Sequence, residues 1–312
     1  MLPIVYHPNY SIQWPKDHRF PMTKFEMLYN YLTREAGMQP AQFHEPRLVS
    51  EETLTLVHGQ AYLDRFFAGT LDNKALRRVG MGWYPDLVTR TRAEVGGTVL
   101  TMKLALAQGL ACNTAGGTHH AYPDFGSGFC YLNDLAVAAS LALVRGWARR
   151  ILIVDLDVHQ GDGTAFIFRN ETRVFTFSMH GSKNFPFRKQ TSDLDLGLEN
   201  ETGDQAYLER LRETLPDLLS RFRPDLVLYD AGVDPHEEDR LGKLALSDQG
   251  LYTRDRYVIE TCLDHGLPIA CVIGGGYAED RNHLAPRHGI LHRAAADIFA
   301  QRGLGKSVHT PS

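Results

Sequence analysis

The chain has 312 residues, 37 of them acidic and 33 basic, for a formal net charge of −4. That balance argues against a nucleic-acid binder held mainly by phosphate contacts, so no direct nucleic-acid partner is expected. No apolar run reaches membrane-spanning length, and the N-terminus MLPIVYHPNY has neither a basic nor an apolar leader segment. The four cysteines (Cys112, Cys130, Cys262, Cys271) are widely spaced with no CxxC, and Cys112 and Cys271 fall in apolar runs, which suits small core hydrophobes in a reducing cytoplasm.

In chain order, Leu2–Tyr6 reads as a strand and Met22–Ala36 as a helix, with Phe25, Leu28, Tyr29 and Leu32 on one stripe and Gly37 as its stop. Ser50 caps a second helix, His58-Gly59 breaks it, and the amphipathic piece Ala61–Phe67 follows. Asp72–Pro85 is polar and rich in glycine, and is expected to be an irregular surface loop near a pocket mouth. Pro85 suits the first turn of a long helix running to Gln108 and closed by Gly109.

From Leu110 onward a repeating arrangement sets in. Leu110–Asn113 leads into TAGGTHHAYPDFGSGFC, and Ile151–Val154, after Arg149–Arg150, leads into DLDVHQGDGT. Val174–Ser178 ends at Met179-His180, Asp225–Tyr229 leads into DAGVDPHEED, and Pro268–Ile273 leads into GGGYAED. Helical stretches separate them: Asn133–Val144, Gly203–Arg221, Ser247–His265 and His283–Ala300. Strands alternating with helices predict an α/β fold, three layers α/β/α around a mainly parallel sheet, with the polar clusters gathered at the C-terminal ends of its strands. Residues 1–300 are expected to form one domain and Gln301–Ser312 a frayed tail.

The densest chemistry follows Ile151–Val154. Asp155, Asp157, His159 and Asp162 crowd into eight positions, and burying them requires a cation or strong partners. On an extended chain, Asp155, Asp157 and His159 fall on one side. Asp157 with His159 is a carboxylate–imidazole pair that Zn²⁺ or Fe²⁺ accepts, and Asp234 is the natural third ligand of an open, catalytic type of site. His119 and His120 are the acid–base candidates, because Asp155 and Asp162 are left to accept an imidazole N–H. Tyr277, after Gly274-Gly275-Gly276, is positioned to aim a hydroxyl at a developing oxyanion. The three glycines lack the spacing and the lysine of a phosphate loop. Phe129 and Phe185 are loop aromatics that either pack locally or wall a narrow apolar slot.

Taken together, GGTHHA, GFCYLND, DLDVHQGDGT, DAGVDPHEEDRLGKLALS and GGGY resemble, in order, the motifs of the zinc-dependent histone deacetylase family of the arginase–deacetylase fold. The resemblance runs from VYHPNY to about Ala300, and DRLGKLALS with the compact N-terminal region is most similar to class IV members and bacterial histone-deacetylase-like amidohydrolases. It implies Zn²⁺ on Asp157, His159 and Asp234, the pairs His119–Asp155 and His120–Asp162, and Tyr277 polarising the scissile carbonyl. It also implies Phe129 and Phe185 flanking an acyl-lysine tunnel, and the Gly128 carbonyl accepting the substrate amide. A structural K⁺ is implied on Asp155, Ser178 and backbone carbonyls of Asp157, His159 and Met179. The rim aspartate with which class I enzymes grip the substrate backbone is not found in the sequence.

The implied reaction is hydrolysis of the amide of an Nε-acyl-lysine in a protein or peptide, with long acyl chains included. The alternatives are an acetylpolyamine or other small acylated amine as substrate, a non-catalytic acyl-lysine binding module, and an arginase-type hydrolase with two manganese ions. The natural substrate and the oligomeric state are left open.

Overall fold

In the computed structural model, which describes residues 1–15 and 17–305, the apolar runs become strands of a single sheet. These are β1 (Ile4–Val5), β2 (Phe43–His44), β3 (Leu110–Asn113), β4 (Ile151–Asp155), β5 (Val174–Gly181), β6 (Leu194–Leu198), β7 (Leu226–Asp230) and β8 (Ile269–Val272). Their order across the sheet is β2-β1-β3-β8-β7-β4-β5-β6, and among the described residues every pairing is parallel. The five strands expected to carry chemistry, β3, β8, β7, β4 and β5, are therefore five consecutive neighbours.

The helices are α1 (Lys24–Arg34), α2 (Glu51–Leu54), α3 (Gln60–Phe67), α4 (Asn73–Val79), α5 (Pro85–Gln108), α6 (Asp134–Val144), α7 (Asp162–Phe168), α8 (Asp204–Phe222), α9 (Asp248–Asp264) and α10 (Leu284–Gln301). Side chains alternate across a strand, and the central strands use both faces. Ile151 and Ile153 join one core with Met102 of α5, Leu135 of α6 and Phe168 of α7. Leu152 and Val154 join a larger one with Leu28 of α1, Leu211 of α8, Val258 of α9 and Ile290 of α10. An unbroken aliphatic run is what a strand sandwiched between two helical layers requires. The expected three-layer architecture is the one observed.

Several boundaries differ from the sequence reading. The first strand is only Ile4–Val5, and the first helix runs from Lys24 to Arg34 rather than from Met22 to Ala36. Asp72–Pro85 is not an irregular loop throughout, since α4 occupies Asn73–Val79. The Asp72 carboxylate accepts the Ala75 N–H at 2.7 Å, and Gly80 ends the helix with φ of +74°. β5 does not stop at Ser178 but continues through Gly181, because β6 pairs with it from Phe177 onward. The edge strands β2 and β6 and the short helix α7 have no counterpart in the sequence reading. α10 extends to Gln301 and Leu304 packs against the larger core; the rest of the expected tail, 306–312, lies outside the described residues. All four cysteines are buried free thiols, and no helix among the described residues is long and apolar enough to cross a membrane.

His58, between α2 and α3, fastens these helices to the long loop that joins β3 to α6. Its Nδ1 donates to the Tyr122 carbonyl at 3.1 Å and its Nε2 accepts the Asn133 N–H at 3.0 Å, an arrangement that needs a neutral ring. Burial outweighs the bond to Tyr122 and pushes its pKa down to about 4 from 6.5. The unfolded chain therefore takes up the extra proton, so the stability His58 contributes is complete above pH 6.5 and lost as pH falls towards 4. Denaturant titrations at pH 7 and pH 4.5 should show a loss of stability on the order of 2 kcal/mol larger in the native chain than in His58→Gln. Equal losses in the two would show that His58 does not titrate in this way.

Candidate active site

β4 ends at Asp155, and the backbone then folds on its own carboxylates. The Asp157 N–H donates to Asp155 Oδ1 at 3.1 Å, and the His159 N–H donates to Asp157 Oδ1 at 2.9 Å. These local turns replace the straight extension expected from the sequence, so Asp155, Asp157 and His159 do not share one side. Asp155 joins the histidine pair, while Asp157 and His159 meet Asp234 from the loop after β7.

That second group is compact. His159 Nδ1 lies 2.9 Å from Asp157 Oδ1 and 3.1 Å from Asp234 Oδ2, and all three residues are buried. Donors of a tetrahedral zinc site, each 2.0–2.1 Å from the ion, stand about 3.3 Å from one another. The remaining oxygens are tied back, Asp157 Oδ2 by the Gly275 N–H at 2.7 Å and Asp234 Oδ1 by the Val158 N–H at 2.8 Å. Among the described residues, Asp234 Oδ2 accepts no well-aligned hydrogen bond, His159 Nδ1 being its neighbour at 3.1 Å. A buried carboxylate oxygen left over beside an imidazole nitrogen and a second carboxylate fits a divalent cation better than any protein donor nearby. Burial and the Asp157 carboxylate push Asp234 up to about 7; a divalent ion among the three reverses that preference.

The glycines after β8 leave room for these oxygens. A Cβ on Gly275 would lie 2.0 Å from Asp234 Oδ2 and 2.5 Å from Asp157 Oδ2. Gly274 has φ of +41°, and a Cβ there would sit 2.0 Å from Asp230 Oδ1. Its carbonyl accepts from Lys24 Nζ at 2.9 Å, a fully buried ammonium whose pKa burial lowers to about 8. Gly274 and Gly275 thus serve close approach of the backbone to the carboxylates, whereas a Cβ on Gly276 would meet Val233 and His288.

The adjacent histidines acquire different partners. His119 Nδ1 is 2.7 Å from Asp155 Oδ2, and His120 Nδ1 is 2.6 Å from Asp162 Oδ1, whose other oxygen accepts from the Tyr122 hydroxyl at 3.0 Å. Their Nε2 atoms stand 3.2 Å apart. Burial lowers the basicity of both. For His119 the carboxylates of Asp155 and Asp157 overcome that and hold its pKa well above the usual histidine range. For His120, burial and neighbouring His119 win, and its pKa falls to about 4.

Tyr277 is half-buried, its ring 6.4 Å from that of His159 and 5.8 Å from that of Phe129, and Asp239 fixes its backbone by accepting the Tyr277 N–H at 2.6 Å. Phe185 meets His120 edge-on at 4.9 Å. Phe129, Phe185, Gly128 and Tyr277 all line the same mouth. Gly128 (φ +52°) touches His120 so closely that a Cβ would fall 2.4 Å from the ring, and Phe129 holds the left-handed backbone with φ of +67°. Of the residues expected to hold K⁺, Asp155 ends β4 and is the register partner of Ser178 inside β5, where Met179 follows, while Asp157 and His159 lie in the loop after β4. Ser178 Oγ is bonded there to His180 Nδ1 at 2.9 Å.

Other residues shape the site without having been read from the sequence. Asp230, the register partner of Asp155, is fully buried with neither oxygen hydrogen-bonded among the described residues, and forms a second acidic group with Asp155 and His119. Asp134 accepts from Thr98, the Gly117 N–H and Thr118, and Asn133 donates to the His119 and Ala121 carbonyls, so the start of α6 grips the histidine loop. Arg254 of α9 donates to the carbonyls of Leu156 and Gly232, joining both ligand loops, and pairs with Asp255 at 2.8 Å. The quoted GFCYLND motif held Asn133 and Asp134, and DAGVDPHEED opened on Asp230; nothing short of the fold would single out Arg254.

The histone deacetylase domain profile matches residues 18–288. An uncharacterized protein of Picosynechococcus is 57% identical over 297 residues, covering 95% of this chain and 99% of its own. Histone deacetylase 2 of Arabidopsis thaliana is 29% identical, over 88% of this chain and 74% of its length. The acetoin utilization protein AcuC of Staphylococcus aureus is 28% identical, over 83% and 72%. Among solved structures, an HDAC homolog from Aquifex aeolicus superposes with a TM-score of 0.82 at 24% identity, covering 94% of this chain and 84% of that one. An HDAC homolog complexed with SAHA gives the same score and coverage at 25% identity.

The convergence of Asp157, His159 and Asp234 predicts one divalent ion per chain, measured by elemental analysis after loading and desalting. Asp234→Ala should hold none, and added zinc should raise the melting temperature of the native chain but not of this variant. Two equivalents per native chain would instead bring Asp155, Asp230 and His119 into a dinuclear site.

Proposed function

Because the chain belongs to the histone deacetylase family, we propose that it hydrolyses the amide of an Nε-acyl-lysine in a protein or peptide. The observation that carries this reading is the convergence of three metal-type ligands beside a histidine pair whose members are tuned in opposite directions. Zn²⁺ is the ion that two carboxylates and one imidazole at these separations suit best, with Fe²⁺ the other ion this donor set accepts. When bound, such an ion supplies Lewis acidity and lowers the pKa of water.

The protein's own groups then divide the work. His120, held neutral, is the general base that takes the proton of the attacking water, and Asp162 steadies the imidazolium that forms. The Tyr277 hydroxyl, kept protonated by burial and by the Asp157 and Asp234 charges, donates to the carbonyl oxygen as it becomes an oxyanion. His119 or the newly protonated His120 passes a proton to the departing amine. Phe129 and Phe185 wall the alkyl stem of the lysine, and the Gly128 carbonyl accepts the substrate N–H. A K⁺ at Asp155 and Ser178 would brace the end of β4 against the middle of β5.

Acyl length follows from the space beyond the ligands. The inner cavity, lined by Phe20, Lys24, Arg90, Glu94 and the histidine loop, measures about 30 Å³. A single water needs roughly 10–15 Å³ on the same measure, which supports a short acyl group and disfavours a fatty one. Acetyl-lysine peptides should be turned over at least ten times faster than matched myristoyl peptides, about 1.4 kcal/mol in the barrier; a myristoyl preference would refute this part of the reading. Tyr277→Phe should lower kcat by about 10²–10³ while KM changes little. Full activity in that variant would remove Tyr277 from the chemistry.

A further inference from the structure

The mouth of the site is charged against the grain of the chain. A cavity of about 410 Å³ opens above Phe129, Phe185 and Tyr277, and five of the side chains lining it are cations: Arg19, Arg77, Arg78, Lys183 and Lys243. No carboxylate is among the lining residues, although the whole chain carries more acids than bases. All five cations are exposed, and they come from separate segments: the approach to α1, the last turn of α4, the turn after β5, and the loop after Asp234.

Existing partners leave most of this charge available. Arg78 stacks on Phe125 at 4.3 Å, which keeps its charge, and Lys243 Nζ donates to the Lys183 carbonyl. Lys183 is 3.7 Å from Glu199, with both side chains more than 60% exposed, so solvent screens that pair. A favourable interaction with the C-terminus of α4 accounts for Arg77 and Arg78. It does not account for Arg19, Lys183 and Lys243.

We propose that this rim selects acyl-lysines lying in acidic segments of polypeptide, a reading that rests on the hydrolytic function above. Cations on several sides of the opening match several anionic groups, which a chain crossing the mouth supplies and a single small carboxylate does not. Phe187, 89% exposed beside the rim, offers such a chain an apolar contact. A lysine-rich segment or an acetylated polyamine brings like charge to the rim and is disfavoured. Hydrolysis itself turns a neutral amide into an ammonium, and the same cations speed its departure.

The test uses the full-length, zinc-loaded protein and three labelled Nε-acetyl-lysine peptides that differ only in flanking residues: acidic, neutral and basic. Both turnover and binding by fluorescence anisotropy are read. The acidic peptide should exceed the neutral one by roughly tenfold in kcat/KM and in affinity, with the basic one weakest. The differences should shrink as salt rises to about 0.5 M, and Arg77→Glu/Lys243→Glu should reverse the order. Turnover without any charge preference, or with a preference for the basic peptide, overturns the rim and leaves hydrolysis standing. Charge-ordered, salt-sensitive binding with no turnover of any peptide supports the rim and overturns the hydrolytic reading. Free Nε-acetyl-lysine turned over as well as the acidic peptide would overturn the polypeptide as the source of the anions.

Discussion

Asp155, Asp157, Asp230 and Asp234 are brought by two paired strands and the loops that follow them into one water-poor volume, each at most 3% exposed. Like charges so close raise one another's pKa, and burial raises them further. The protein answers with two imidazoles set between the carboxylates, with N–H groups of Asp157, Val158, His159 and Gly275 turned onto their oxygens, and with a site where three donors converge. Neighbouring structure follows from keeping these charges satisfied. Arg254, buried behind the ligand loops, spends its donors on two backbone carbonyls and on Asp255, so it fixes loop positions without neutralising a ligand.

The same crowding explains where side chains are forbidden. Gly117 and Gly274 approach so closely that a Cβ on Gly117 would come within 2.3 Å of the Gly274 Cα. The loops after β3 and β8 therefore touch backbone to backbone, with carboxylates filling the gaps. Lys24 reaches in from α1 to hold the Gly274 carbonyl, which ties the N-terminal helix to the glycine loop. A Lys24→Met change would keep much of the packing and remove that tether.

The sheet and most helices were legible in the sequence because the central strands are mainly apolar runs, β4 opening on four aliphatic residues, and helices carry boundary signals, as with Pro85 and Gly109 around α5. The edge strands were not, since β6 mixes Asp195 and Gly197 with leucines and is buried on neither face for most of its length. α4 escaped because its caps, Asp72 and Gly80, are also residues that mark loops. In the site, every residue singled out lies at one edge of the sheet, and the ligand and histidine groupings are geometrically close. Asp230 and Arg254 could not be separated from ordinary strand-end and helical charges, because what distinguishes them is burial, and burial is a property of the fold.

Adjacent and chemically identical, His119 and His120 become different reagents through position alone. Their rings are tilted 55° to each other, and each Nδ1 faces a different carboxylate, Asp155 at the end of β4 and Asp162 at the start of α7. His119 meets Asp155 at 2.7 Å, Asp230 at 3.7 Å and Asp157 at 3.9 Å. Three carboxylates outweigh the cost of burying an imidazolium there. His120 has Asp162 alone, and Tyr122 already donates to that carboxylate. With a cationic ring 3.2 Å from its Nε2, His120 is better left neutral, its lone pair directed inward. More carboxylates beside His120, or fewer beside His119, would narrow the difference between the two rings. The placement of acids around the two rings, more than the rings themselves, is what prepares this site for proton transfer.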